Sequence, residues 1–155
     1  MNKQDAYRIA IEAEIRSQKL YQALARSFQN SETAQFFNQL LRYETDHEVK
    51  LRKLYAQEYP GQTLTLTEDP DIELKKLNLV DPKAVLEFAI SREELAQVIY
   101  LRLAEQSEDE RTKALLQQLA DEEVNHKELL FAEIEKLQGI LQWYDPSELN
   151  GLMED

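Results

Sequence analysis

Two stretches of the chain, residues 39–51 (QLLRYETDHEVKL) and 118–130 (QLADEEVNHKELL), share one pattern of apolar residues, glutamate and histidine. The second stretch lies 79 residues after the first, and at this offset 13 of the 42 residues in Ala10–Leu51 are identical to their counterparts in Ala89–Leu130. Shared apolar patterning accounts for part of this identity, but it does not account for the matched glutamate and histidine residues. The sequence therefore predicts two copies of one structural unit.

Each copy is predicted to be a pair of α-helices. Helix-breaking residues are concentrated in the middle of the chain, because three of its four prolines lie within residues 60–82. The first helix is expected over about residues 3–29. The second helix, capped by Asn30 or Ser31, is expected to end near residue 59, where Pro60-Gly61 stops it.

The second pair begins at Asp81-Pro82, which has the form of an N-cap followed by a proline at the first helical position. Its first helix is predicted to extend to about residue 107. Its second helix is predicted over about residues 110–138, with Gly139 as the C-terminal stop. The tail after Gly139 leaves room for one short helix, and no chemistry is assigned to it.

These elements predict an all-α protein, a four-helix bundle built from repeated hairpins at about residues 3–59 and 82–138. Residues 1–155 are expected to form a single domain, the usual organisation at this length. The connection at about residues 60–81 must cross from one end of the bundle to the other if the repeated residues are to lie at one level. About 20 extended residues reach about 70 Å, whereas a helix of about 27 residues is about 40 Å long, so the crossover is long enough.

Composition excludes several classes of function. The formal charge of −12 at pH 7 would repel nucleic acid and anionic lipid, so neither is expected as a partner. The chain has no cysteine, which excludes disulfides, thiol catalysis, iron–sulfur clusters and cysteine-ligated zinc or iron. A metal bound here must therefore have oxygen and nitrogen ligands. No apolar run is long enough for a signal sequence or a membrane span, so a cytoplasmic location is the simplest expectation.

The apolar stripe of each predicted helix, followed in steps of three and four residues, contains a glutamate. In the second and fourth helices a histidine follows that glutamate after three residues, and these are the only two histidines of the chain. The stripes contain no lysine or arginine to neutralise the four carboxylates, whose burial would be costly. The glutamates and histidines of the stripes are Glu14, Glu44, His47, Glu93, Glu123 and His126.

These six residues are predicted to meet at one level of the bundle. Glu14 lies 16 residues before the turn at Asn30 and Glu44 lies 14 after it, and the second hairpin repeats this spacing about Asp109. Two divalent cations would balance the charge of four carboxylates, so the pattern predicts a dinuclear metal site. Carboxylate and imidazole ligands suit iron or manganese, and zinc stays open. The alternative interpretation is that these are solvated residues or relics of a lost site.

The spacing also predicts a role for each ligand and for two tyrosines. The glutamates of the two Glu-x-x-His motifs are placed to bridge the ions, and Glu14 and Glu93 are placed to bind one ion each. Tyr21 and Tyr100 lie two turns after Glu14 and Glu93 and are the candidate catalytic residues. Core packing, with each hydroxyl bonded to a ligand, fits these tyrosines better than a redox-active role.

Further polar residues near the motifs are weaker candidates. Gln18 and Gln97 are predicted either to donate hydrogen bonds to the ligands or to lie on the helix surface. Asp46, Asp121 and Glu122 could orient an imidazole, but solvated positions fit them better.

At these positions the chain resembles the ferritin-like di-iron carboxylate superfamily, and in particular its rubrerythrin-like branch. The resemblance covers about residues 6–137 and implies a ferritin-like four-helix bundle with two iron ions. It implies one ligand motif on each of the four helices. The matching residues are Glu14 with Tyr21 in the run AEIRSQKLY, Glu44-Thr-Asp-His47, Glu93, and Glu123-Val-Asn-His126.

The chain departs from rubrerythrins at two points. They usually carry a further glutamate three residues after the third-helix ligand, which takes part in redox-dependent ligand change, and here that position is Ala96. They also usually carry a cysteine-ligated rubredoxin domain as electron donor, which a sequence without cysteine lacks. Both departures weaken a peroxidase interpretation, and neither affects the predicted fold or metal site.

The resemblance implies an oxidoreductase that acts on Fe(II), O2 or H2O2. The main alternative is a bundle that binds or stores iron without turnover. A third hypothesis is an interaction bundle that has lost its metal, but the intact set of six ligands argues against it because apolar residues replace unneeded buried carboxylates cheaply. The resemblance also implies a homodimer and an external electron donor that the sequence does not identify.

Overall fold

Four α-helices make up the part of the chain that the computed structural model describes, which comprises residues 2–28, 31–67, 69 and 81–142. No strand occurs within these ranges, so the all-α prediction is confirmed. Most of the predicted crossover, and the tail after residue 142, lie outside them. None of these helices has the length and apolar composition that a bilayer crossing needs. The helices are α1 (Lys3–Ser27), α2 (Ser31–Glu58), α3 (Pro82–Gln106) and α4 (Glu110–Gln142).

The two helix boundaries beside the crossover follow from local sequence. After α2, Gly61 has a φ of +75°, in the left-handed region that favours glycine, so the Pro60-Gly61 turn ends the helix as predicted. At the start of α3 the Asp81 side chain accepts a hydrogen bond from the backbone N–H of Ala84 at 3.3 Å. Pro82 follows in the first turn, where its missing N–H has no helical partner to lose.

The predicted end of the last helix is wrong. α4 does not stop at residue 138 but continues through Gly139 to Gln142. A glycine ends a helix only when it leaves the right-handed helical conformation, and inside a helix it costs only about 1 kcal/mol relative to alanine. Gly139 stays helical and therefore does not act as a C-cap. At the other end of the bundle α1 ends at Ser27, two residues before its predicted end.

The helices are arranged as two hairpins packed against each other. α1 packs along α2 and α3 packs along α4, while α1 also packs against α3 and the contact between α2 and α4 is looser. α1 and α3 run antiparallel, since Tyr21 contacts Glu93 whereas Tyr100 contacts Glu14. Because the short turn in each hairpin makes its two helices antiparallel, α2 and α3 run parallel. The crossover therefore has to connect opposite ends of the bundle, as predicted.

The buried apolar side chains form two clusters, one toward each end of the bundle. The predicted core stripes supply both clusters, and the glutamates and histidines of the stripes lie between them along each helix. The first cluster includes Tyr7, Ile11, Leu51, Tyr55, Leu103, Leu116 and Leu119. The second includes Leu24, Phe37, Leu40, Leu86, Ala89 and Leu130.

Two buried carboxylates lie outside the predicted site, and each has a protein donor. On α1, Glu12 Oε1 accepts a hydrogen bond from Arg8 Nη1 at 2.9 Å and lies 3.4 Å from the backbone nitrogen of Thr67. On α4, Glu133 Oε1 accepts a hydrogen bond from Thr33 Oγ1 at 3.3 Å. Glu12 and Glu133 therefore serve as reference points for the carboxylates at the centre of the bundle.

Candidate metal centre

The six glutamates and histidines of the core stripes meet in the middle of the bundle. Each of them is at most 4% exposed. Their carboxylate oxygens and imidazole nitrogens form two overlapping groups, within each of which the donor atoms all lie within 4.8 Å of one another. One group is Glu14, Glu44, His47 and Glu123, and the other is Glu44, Glu93, Glu123 and His126.

The sequence repeat gives the cluster a near two-fold arrangement. His47 Nδ1 lies 2.7 Å from Glu123 Oε1, and His126 Nδ1 lies 3.0 Å from Glu44 Oε1. Each histidine therefore contacts the glutamate that begins the Glu-x-x-His motif of the other hairpin. Glu44 and Glu123 belong to both donor groups, which is the position that two cations would share.

The hydrogen bonding of the cluster fits a cation. One oxygen of each of its four glutamates is buried with no hydrogen-bond partner among the residues that the structure describes. Unpartnered buried acceptors are costly, and a bound cation would satisfy all four at once. Carboxylate oxygens combined with imidazole nitrogens suit iron or manganese. The residues therefore form a metal site; the unpartnered atoms are Oε2 of Glu14, Glu44, Glu93 and Glu123.

Both candidate tyrosines touch the cluster, each from the opposite hairpin. Tyr21 donates a hydrogen bond from its hydroxyl to Glu93, and Tyr100 donates one to Glu14. Burial raises the pKa of both phenols well above the usual value of 10, so both hydroxyls keep their protons and act as donors. Each tyrosine thus fixes the carboxylate that is not shared between the two donor groups.

Removing either tyrosine hydroxyl should destabilise the protein when a chelator is present. Tyr21→Phe and Tyr100→Phe keep the packed ring but leave a buried carboxylate without its donor, which should cost about 2 kcal/mol each. Urea denaturation measures this loss. Tyr55→Phe is the matched control, because the Tyr55 hydroxyl is bonded to the neutral Gln4 side chain at 3.0 Å and should contribute only about 1 kcal/mol. Equal losses in all three variants would contradict the account.

The acid–base properties of the cluster follow from its crowding. Burial alone would lower the pKa of His126, but hydrogen bonds with Glu123 and Glu44 outweigh it and raise that pKa to about 10. The pKa of His47 is raised in the same way, against burial, by Glu123, Glu44 and Glu122. Burial and the nearby charge of Glu123 raise the pKa of Glu44 to about 7. For Glu123 burial acts upward, but hydrogen bonds from both imidazoles outweigh it and lower the pKa.

These shifts predict opposite effects of pH with and without metal. Glu44 and both histidines hold protons more tightly in the fold than in the unfolded chain, so with a chelator present stability should fall as the pH rises. Metal binding requires these groups unprotonated, so the stabilisation that metal provides should grow with pH. Urea denaturation with manganese(II) or with chelator, from about pH 5.5 to about pH 8, measures both trends. A metal-dependent gain that shrinks with rising pH would contradict this expectation.

Two side chains outside the six contact the imidazoles. Glu122 Oε2 lies 2.6 Å from His47 Nε2, and its side chain is 32% exposed, so the prediction of a solvated Glu122 without this contact is wrong. The ring of Tyr43 stacks on His126, with centroids 5.1 Å apart and planes at 13°. The sequence did not single out Tyr43. The only signal for this pair was that positions 43 and 122 are equivalent in the repeat but carry unlike residues.

The remaining candidates lie away from the cluster. Gln18 donates a hydrogen bond to Glu48 at 2.7 Å, so it links α1 to α2 and does not reach the central carboxylates. Gln97 is half-buried on α3. Asp46 and Asp121 are exposed, as predicted.

Comparison with known proteins agrees with the geometry of the site. The family model for rubrerythrin matches residues 5–79 and 84–150. This chain belongs to the rubrerythrin family. Among solved structures, a hypothetical protein from Pyrococcus furiosus has the same rubrerythrin-like fold, with a TM-score of 0.80 and 31% identity over 94% of each chain. No curated protein matches the sequence.

Family membership confirms the resemblance and the ferritin-like bundle, and it makes two departures informative. Ala96 is buried at the position where rubrerythrins usually carry their additional glutamate, so no carboxylate side chain is available there. The 155 residues contain no cysteine and hence no rubredoxin-type iron site. This rubrerythrin-family chain therefore has the central donor set without these two accessories.

Proposed function

We propose that the central cluster holds two iron ions and that the protein is an oxidoreductase acting on Fe(II), O2 or H2O2. The observation that supports this most strongly is the pair of donor groups that share Glu44 and Glu123. Membership of the rubrerythrin family favours iron among the metals that the ligands suit. Manganese and zinc are the alternatives to be compared with iron.

In this proposal each hairpin contributes to both ion positions. Glu14 and His47 would bind one ion, Glu93 and His126 would bind the other, and the shared glutamates would bridge them. Four carboxylates then balance two divalent cations, which removes the cost of burying uncompensated charge. Bound iron would supply one-electron redox chemistry between its ferrous and ferric states.

The protein's own part is to position ligands and to control access. Apolar clusters at both ends of the bundle keep bulk water from the cluster. The tyrosine hydroxyls hold the two unshared carboxylates in place. The looser contact between α2 and α4, where the partly exposed Glu122 and Tyr43 flank the imidazoles, is the side from which a small oxidant would approach.

Mixing ferrous-loaded protein with O2 or with H2O2 tests the proposed activity. We expect either oxidant to be consumed repeatedly when an external reductant is supplied, and faster than by free ferrous iron. Loading alone, with stable iron and no repeated consumption of oxidant, would contradict the activity. That outcome would favour an iron-binding or storage function. The residue Ala96 and the lack of cysteine are the observations that favour this second candidate.

A further inference from the structure

The contacts nearest the proposed ions are almost the same in the two halves of the cluster. His47 Nδ1 lies 3.7 Å from Glu14 Oε1 and 3.6 Å from Glu44 Oε2. His126 Nδ1 lies 3.6 Å from Glu93 Oε2, and its distance to Glu123 Oε2 is 3.7 Å. These inner contacts alone would therefore give two equivalent metal positions.

The contacts on the outer side of the imidazoles are different. Glu122 and Tyr43 occupy equivalent positions of the repeat, each one residue before a shared glutamate. Glu122 places a carboxylate oxygen 2.6 Å from His47 Nε2. Tyr43 instead lies face to face with the ring of His126. Among the residues that the structure describes, the carboxylate contacts of His126 run through Nδ1.

This difference changes how well each histidine serves as a ligand. A carboxylate that accepts the outer N–H of an imidazole fixes the tautomer and the ring orientation, and it makes the opposite nitrogen a better electron donor to a metal. A stacked phenol ring restricts the ring plane but does not accept an N–H that points along that plane. His47 therefore has support that His126 lacks.

We infer that Glu122 is a positioning residue that makes the two metal positions inequivalent. The position that includes His47 binds a divalent cation more tightly than the position that includes His126. This inference rests on the proposed dinuclear site and adds an order of filling to it. Loss of outer support for a metal-bound histidine typically lowers metal affinity by about 10-fold to 100-fold, which sets the size of the difference.

Titration of the full chain with cobalt(II), after removal of metal by a chelator, tests the inference. Cobalt(II) is a stable divalent probe whose visible absorption reports its ligands, so calorimetry and absorption together resolve each binding step. We expect two steps for the wild type, with affinities at least about 10-fold apart. Glu122→Gln should lower the first-step affinity about 10-fold to 100-fold, shift the absorption of the first ion, and leave the second step in place.

Two further variants separate the outer contact from general charge. Asp121→Asn removes a negative charge from the neighbouring exposed residue, and it should leave both steps unchanged. Tyr43→Glu places a carboxylate at the equivalent position in the other half, so it should raise the affinity of the second step. This gain also decides the matter if Glu122→Gln does not fold, because an unchanged second step would overturn the inference.

The outcomes distinguish this inference from the proposed function. Two cobalt ions bound with equal affinity, or equal weakening of both steps by Glu122→Gln and by Asp121→Asn, would overturn the inequivalence and leave the dinuclear site intact. A wild-type chain that binds no cobalt, or only one ion, would contradict the dinuclear site itself and the inference with it.

Discussion

Replacing Glu44 and Glu123 together by leucine should abolish metal binding and raise the stability of the chelator-treated protein. The two carboxylates are buried, close together and shared by both donor groups. Apolar residues of similar volume remove their desolvation cost, and such replacements are often stabilising by about 1–4 kcal/mol. For a chain of this size, each kcal/mol corresponds to about 2–4 °C in melting temperature.

Thermal denaturation of the wild type and the double variant, with chelator and with metal, measures this prediction. Metal at about 1,000 times its dissociation constant should stabilise the wild type by about 4 kcal/mol and leave the variant unchanged. The matched control is Glu12→Leu with Glu133→Leu, because these glutamates are also buried but bond to protein donors outside the cluster. The control should lose stability and keep its metal. Identical curves for the wild type and the Glu44/Glu123 variant under both conditions would contradict the buried site.

Removing either imidazole should lower the amount of tightly bound iron from about two ions per chain to about one or less. His47→Ala takes the nitrogen ligand from one donor group, and His126→Ala takes it from the other. Each change also leaves the glutamate that the histidine contacts without that partner, so the remaining ligands are less well placed. Anaerobic titration with ferrous iron in competition with a chelator measures the loss.

The control for a cavity in the core is Tyr55→Ala. Tyr55 is buried two turns after His47 on the same helix, in the apolar cluster beyond the site. Its truncation should cost about 3–5 kcal/mol of stability without changing the number of ions bound. If the histidine variants retained iron as well as the wild type does, the two nitrogens would not be ligands.

Much of the fold could be predicted because the repeat and the apolar stripes are local properties of the sequence. The stripes of α2 and α4 place Glu44, His47, Glu123 and His126 in the core, and all four are buried there. The equal spacing of Glu14 and its partners about the hairpin turns predicted their common level. Residue types in a stripe and distances along a helix are enough for such inferences.

The parts that the sequence did not predict depend on contacts between helices. Glu122 reaches from α4 to a histidine on α2, and nothing in its own helical pattern distinguishes it from a solvated acid. The pairing of Tyr21 with Glu93 likewise depends on how the hairpins pack, not on the spacing within α1. The continuation of α4 past Gly139 reflects a penalty too small to end a helix. The single domain, the cytoplasmic location, the homodimer and the external electron donor stay predictions.

Counting the iron that each chain retains tests the central claim most directly. The metal-free protein is reconstituted anaerobically with ferrous iron, loosely bound metal is removed, and the remaining iron is measured against protein concentration. The account predicts about two ions per chain, one for each donor group. Retention near zero, with manganese or zinc bound no better, would contradict a metal centre at this cluster.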